Sequence, residues 1–345
     1  MKRFLLTFLF CSVVLVSLSS VVCAQQMPCI TARSAVLYDC DTGQILYAKM
    51  PNLKRAPAST VKLLTAMVAM DRLALSEVIT IPHFVNSIEP RKLNLRPGER
   101  YYVRDLIRAS LMYSANDAAE TLADAAGGSR AGFARLMNEK ARSIGCTNSN
   151  YVRASGLPAN NQYSTSYDMA LVMKEIQKYP FIIDTLKIRG ISFQSLGGRR
   201  IYIKSHNRML WRDSREVIGK TGWTRAASHC FVGHVRVGSR KVVVSMLGSS
   251  NMWADVKKLA DFPFGPGPVV CTAQVKKRPK PSYKNNSTYK LQYALKKAGF
   301  NPGPADGHYG SRTRYALIRF QKSHGLPATG YAGQLTWKKL KRYLN

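Results

Sequence analysis

Ser59-Thr60-Val61-Lys62 sets a hydroxyl and an amine three residues apart. On a helix that spacing puts both on one face, so the lysine nitrogen reaches the serine oxygen. A serine hydroxyl needs an adjacent base to become a nucleophile. A lysine is a base only when neutral, so burial or a second cation must lower its pKa. Lys220, in Lys220-Thr221-Gly222, is the candidate second cation. Ser114-Ala115-Asn116 adds another hydroxyl and an amide between these two triplets. Each triplet recurs by chance. The three in this order, on a predicted helix, loop and strand, point to acyl transfer through a serine.

The surrounding pattern predicts the elements that hold them. Residues 34–39 and 44–49 read as strands about the Asp41-Thr42-Gly43 turn. From Pro57 to about Leu75 the chain is apolar nearly all round, which predicts a buried helix. Ser59 then falls in its first turn, where free N–H groups favour developing negative charge. Residues 104–175 read as mainly helical, with breaks at Gly127-Gly128 and Gly156. Residues 200–205, 217–221, 231–237 and 241–248 read as strands, the last two joined through Gly238-Ser239. The expected fold class is α+β. An antiparallel sheet, closed by N- and C-terminal strands, carries a helical subdomain, and a small all-α module follows.

The ends bound the compartment and the domains. Lys2 and Arg3, an apolar stretch over 4–22 and Val22-Cys23-Ala24 read as a signal peptide over 1–24, cleaved before Gln25. The alternative is a retained anchor, because the apolar run is nearly long enough to span a bilayer. A catalytic domain is placed at 25–265 and a basic, proline-rich linker at 266–288. A module with helical stretches at 289–298, 312–324 and 333–344 occupies 289–345. The formal charge is +33, and from 272 onward 16 basic residues accompany one acid, Asp306. Such a balance favours anionic partners. In an exported chain these are wall polymers, acidic lipids and anionic glycans, and no nucleic acid is expected. Five of the seven cysteines lie beyond the signal: Cys29, Cys40, Cys146, Cys230 and Cys271. Their pairing stays open, and the odd number leaves at least one free or paired between chains. No metal or other cofactor is expected. His229 and His234 lie five apart in a strand-like run and point to opposite faces.

Residues about 30–262 resemble the low-molecular-weight penicillin-binding proteins, the serine D-Ala-D-Ala carboxypeptidases. The resemblance rests on the segment from Pro57 to Ala66, on Ser155-Gly156-Leu157-Pro158 with Gln162-Tyr163-Ser164-Thr165 and Asp168-Met169-Ala170, and on Gly219-Lys220-Thr221-Gly222-Trp223-Thr224. It implies a penicillin-binding/β-lactamase-like fold and removal of the terminal D-alanine from peptidoglycan stem pentapeptides through a Ser59 acyl-enzyme. Lys62 is implied as the base, Ser114 as a proton relay, and Asn116 as a holder of Lys62 or the substrate amide. Lys220 and Thr221 face the terminal carboxylate, and Gly222 lets substrate lie close to the strand. The N–H groups of Ser59 and Trp223 are implied as the oxyanion hole. β-Lactam antibiotics are implied as acylating inhibitors. The middle motif departs from the family's S-D-N. A class A β-lactamase is disfavoured, because no glutamate occurs between Glu139 and Glu175 to activate water. The β-domain and amphipathic helix of many relatives are not recognised, which leaves open an endopeptidase of D-alanyl cross-links. A non-catalytic wall sensor is the remaining alternative.

Residues 289–341 resemble a small peptidoglycan-binding module. Its signature here includes Leu291-Gln292, Gly299-Phe300, Asp306-Gly307, Tyr309-Gly310, Phe320-Gln321 and Thr336-Trp337. Asp306 and Tyr309 are its candidate ligand contacts. The module is expected to tether the peptidase to its substrate.

Overall fold

The computed structural model describes residues 27–263, 287–307 and 309–344. The signal-peptide reading, and all but the last two residues of the linker reading, lie outside them. The described residues fall into two compact units, 27–263 in the first and 287–307 with 309–344 in the second.

The described residues of the first unit form nine strands: β1 Ser34–Asp39, β2 Ile45–Lys49, β3 Val78–Thr80, β4 Arg100–Tyr102, β5 Gly190–Gln194, β6 Arg200–Lys204, β7 Glu216–Thr224, β8 Ser228–Val237 and β9 Arg240–Ser249. Its helices are α1 Lys62–Met70, α2 Val103–Arg108, α3 Asn116–Gly127, α4 Arg130–Ser143, α5 Ser166–Ile176, α6 Pro180–Lys187, α7 Met209–Arg212 and α8 Met252–Asp261. The main sheet is antiparallel, in the order β2-β1-β9-β8-β7. β1 pairs with β9 from Ser34 opposite Leu247 to Asp39 opposite Val242, which is the closure expected of the N- and C-terminal strands. Sequence reading missed β3, β4, β5, α6, α7 and α8. The first three are short or polar, and their strand character rests on a single partner each.

Both faces of the sheet are covered, so its inner strands are apolar at successive positions. Val36, Val232 and Val243 face one way, onto α1 to α5. Leu37, Phe231, Val242 and Val244 face the other, onto α8. The period of two along each strand sends neighbouring residues into separate cores. The predicted helix from Pro57 to Leu75 is shorter than expected. Ala58–Val61 form a 3-10 turn, and α1 begins at Lys62 and ends at Met70. Beyond Met70, the exposed Asp71 and Arg72 carry the chain to solvent.

Asp255 pins the N-terminal segment to the sheet and α8. Its buried carboxylate accepts hydrogen bonds from Thr31 N, Thr31 Oγ1, Ala32 N and Ser249 Oγ at 2.6 to 2.9 Å. Asp255→Ala leaves several of these donors unsatisfied, at ~1–3 kcal/mol each. Urea denaturation is expected to show a loss of about 3 kcal/mol, and a loss under about 1 kcal/mol would contradict this role.

The described cysteines Cys29, Cys40, Cys146 and Cys230 are free thiols. His234 is buried between Gln177 and Glu216, whereas His229 lies by the Trp223 ring, so the two do not converge. Among the described residues no group of three His, Cys, Asp or Glu is arranged to hold a metal ion. No described helix is long and apolar enough to cross a membrane.

The second unit consists of α9 Ser287–Lys297, α10 Ser311–Ser323, α11 Gln334–Leu340 and a final 3-10 turn. Leu291, Leu295, Leu317, Phe320 and Leu340 form its core. Two buried glutamines staple its loops. Gln292 accepts from Asp306 N and Gly307 N and donates to Asp306 Oδ1 and Thr313 Oγ1. Gln321 accepts from Gly330 N and donates to Tyr331 O and Thr336 Oγ1.

Candidate active site

Three segments meet at Ser59. The first is its own 3-10 turn, where the Thr60 hydroxyl donates to Pro57 O at 2.7 Å. The second is the loop at 154–156. Thr65 on α1 draws that loop in, donating to Ala154 O at 2.7 Å. The third is β7, which passes the turn at Gly222. A Cβ there would stand 3.0 Å from Ser59 N and 3.1 Å from Ala58 Cβ. Gly222 therefore gives room to the nucleophile turn, rather than only to substrate as expected.

Lys62 is fully buried, and its ammonium donates to Ser59 Oγ at 3.0 Å and to Asn116 Oδ1 at 2.8 Å. It also donates to Ser155 O. Asn116 is itself anchored: its N–H donates to Arg91 O and its Nδ2 to Glu89 O. Ser114 has left-handed backbone (φ 67°) after the turn at Ala109–Tyr113, and the residue lines the cleft. That conformation is uncommon for a non-glycine residue. The bonds from Ala115 N to Ala109 O and from Asn116 N to Arg91 O enforce it.

Electrostatics favour a neutral amine at Lys62. Burial first pushes its pKa down to about 7, opposed by the Glu120 and Asp117 carboxylates and assisted by the Arg153 guanidinium. Lys220 is held well below the usual lysine range, by burial first and then by Lys62 and Arg91. Two buried ammonium groups repel one another. The repulsion is mutual, so Lys220 is a cation set against Lys62, and the Arg153 guanidinium adds to it. His206 stays neutral, pushed down to about 3 by burial, Lys220 and Arg91.

An open cleft of 1450 Å³ fronts this cluster, lined by Ser59, Ser114, Asn116, Thr221, Gly222 and Trp223 among others. Lys220 does not line it. Its ammonium lies buried behind the wall and donates to Thr221 O at 2.8 Å. Sequence reasoning missed Asp117, Glu120 and Arg153. Glu120 is buried and accepts from Ser155 N at 3.1 Å and from the Ser155 hydroxyl at 2.5 Å. Asp117 accepts from Leu93 N and Leu95 N, both at 3.1 Å. Their signal was two acids three residues apart in an alanine-rich stretch, a spacing that puts both on one helix face.

In the second unit, Asp306 is engaged by Gln292 and serves the loop's structure. Tyr309 donates to Gly330 O and leaves its ring partly exposed beside the exposed Tyr331.

A serine hydroxyl on a buried, weakly basic lysine, backed by an asparagine and faced by a Lys-Thr-Gly strand, defines a serine acyl-transfer centre. The chain belongs to the D-alanyl-D-alanine carboxypeptidase family of serine peptidases, whose pattern matches residues 21–251. Residues 284–340 match the peptidoglycan-binding domain family. A D-alanyl-D-alanine carboxypeptidase (DacB2) of Mycobacterium tuberculosis is 31% identical over 245 residues, covering 69% of this chain and 84% of the relative. The D-alanyl-D-alanine endopeptidase of Escherichia coli is 30% identical over 67% of this chain and 77% of its own. The solved structure of a D-alanyl-D-alanine carboxypeptidase from Mycobacterium tuberculosis superposes with a TM-score of 0.66 at 29% identity, covering 70% of this chain and 97% of that one. A Streptomyces DD-transpeptidase superposes at 0.65 with 25% identity, covering 69% and 99%.

Proposed function

We propose that this chain is an exported D-alanyl-D-alanine carboxypeptidase in which Ser59 is the nucleophile and Lys62 its base. The observation that carries the reading is the placement of the Lys62 amine on both Ser59 Oγ and Asn116 Oδ1.

Neutral Lys62 takes the Ser59 proton as the oxygen attacks the carbonyl between two D-alanines. The Ser59 and Trp223 N–H groups hold the resulting oxyanion. The proton passes from Lys62, through Ser114, to the departing amine. The C–N bond breaks, D-alanine leaves and the peptide is esterified to Ser59. Water then adds to the ester with Lys62 again as base, and Ser59 recovers its proton. Thr221, with Lys220 behind it, meets the terminal carboxylate of the substrate. A β-lactam enters the same first step through its strained amide, so these antibiotics are expected to acylate Ser59.

Export fits Lys2, Arg3, the apolar stretch over 4–22 and the Val22-Cys23-Ala24 site. The domain bounds proposed are 25–265 for the peptidase, 266–288 for the linker and 289–345 for the wall-binding module. In the module, the exposed rings of Tyr309 and Tyr331 are the contacts proposed for peptidoglycan, with Asp306 shaping their loop.

The similarity to an endopeptidase supports a second reading, hydrolysis of D-alanyl cross-links. Residues 25–345, incubated with pentapeptide muropeptides and with cross-linked dimers, separate the two by mass spectrometry. Loss of one alanine from the pentapeptide is the expected result. Conversion of dimers to monomers with pentapeptide untouched would move the assignment to endopeptidase, and intact substrates would reject both.

A further inference from the structure

The cleft holds more positive charge than one terminal carboxylate can use. Arg91, Lys92, Lys204, Arg208, Arg212 and Arg225 line it, and no aspartate or glutamate does. Among the described residues, none of the six pairs with a carboxylate. Elsewhere in the same unit, basic residues such as Arg108, Arg199 and Arg215 do find carboxylates. The six also come from separate elements: the loop before β4, the end of β6, the stretch from 208 to 212 and the β7–β8 turn. Their convergence is therefore not the charged face of one helix. Arg208, Arg212 and Arg225 are exposed, so a ligand can reach them. The Lys204 ammonium is steadied 5.1 Å over the Trp211 ring.

Like charges gathered without counterions are costly unless a ligand brings the opposite charge. The terminal carboxylate already has the Thr221 and Lys220 wall. We propose that the six-cation rim selects peptides carrying at least one free carboxylate besides the terminal one, so acidic stems are preferred over the same stems with that group amidated. The proposal rests on the peptidase reading and deepens it. One exposed ion pair gives little discrimination, so the selection comes from several cations acting on one acidic group and on its approach. It acts on binding, and therefore on KM more than on kcat.

The test uses two N-acetylated D-Ala-D-Ala peptides, identical except that one carboxylate of the first is a carboxamide in the second. For the wild type in low salt, kcat/KM is expected to favour the acid by about 10-fold, a ratio within reach of two or three such pairs. It should collapse in ~0.5 M salt, where screening shortens to a few ångströms. In the Arg208→Gln/Arg212→Gln/Arg225→Gln variant the ratio is expected to fall toward one. A wild-type ratio near one, or a preference that survives both salt and substitution, overturns the proposal. Competition of both peptides against a labelled penicillin for Ser59 reads binding alone. If neither peptide is hydrolysed but the acid still competes better, the rim stands and the carboxypeptidase reading falls. If both are hydrolysed and compete equally, the reverse holds.

Discussion

Lys62→Met is expected to slow acylation of Ser59 by a penicillin by about 10³- to 10⁴-fold, the upper part of what one positioned base contributes. The serine would remain in place, because its turn is held by Thr60, β7 and the 154–156 loop rather than by Lys62. The lysine also leaves a mark on stability. Burial holds its pKa down to about 7 when folded, against an ordinary lysine value of 10.5. Between those values the unfolded chain binds the extra proton, so wild-type stability rises with pH across that window. The methionine variant should lose that slope. A variant that acylates within about 10-fold of wild type would remove Lys62 from the mechanism.

The same group sets the pH profile. Acylation needs the neutral amine, so the wild-type rate should fall about 10-fold per pH unit below about 7. Glu120 holds the ammonium form. Glu120→Gln keeps an oxygen for Ser155 but removes the charge, so the acid limb is expected to move to lower pH. A limb that stays put would mean that another group titrates there.

The second large effect is Gly156→Ala. Gly156 has φ +75°, and a Cβ on it would lie 2.0 Å from the carbonyl oxygen of Ala58. Ala58 itself has φ 50°, so the turn has no slack next to its nucleophile. The left-handed backbone alone costs alanine ~1–2 kcal/mol. Relief of the clash must shift the Ser59 turn against the 154–156 loop, and a shift of about 1 Å at a catalytic group costs about 10²-fold. Penicillin acylation is therefore expected to drop by about 10²-fold or more, with a stability loss of about 2–4 kcal/mol. Acylation at the wild-type rate would show that the 154–156 loop does not set the position of Ser59.

What the sequence announced was the chemistry carried by spacing. Ser59 and Lys62 are three apart, and the structure joins them. The strands from 217 to 248 alternate between two cores and carry a glycine turn, so their pairing was legible. Long-range supports were not. That Thr65 draws in Ala154, that Gly156 presses on Ala58, and that Glu120 holds Ser155 are consequences of packing between distant segments. No local period encodes them. Ser59 lies on a 3-10 turn rather than in the first α-helical turn, because β7 and the 154–156 loop constrain the backbone there. Lys220 reads as a surface contact from its motif, yet the strand buries it behind Thr221.

The most direct test of the account is the site of the covalent intermediate. Residues 25–345 would be mixed with a D-Ala-D-Ala peptide or a penicillin, quenched in acid, digested and mapped by mass spectrometry, with Ser59→Ala alongside. The account predicts one acyl group, on the peptide containing Ser59, and none in the variant. An adduct on Ser114 or any other residue, or an equal adduct in Ser59→Ala, would contradict it.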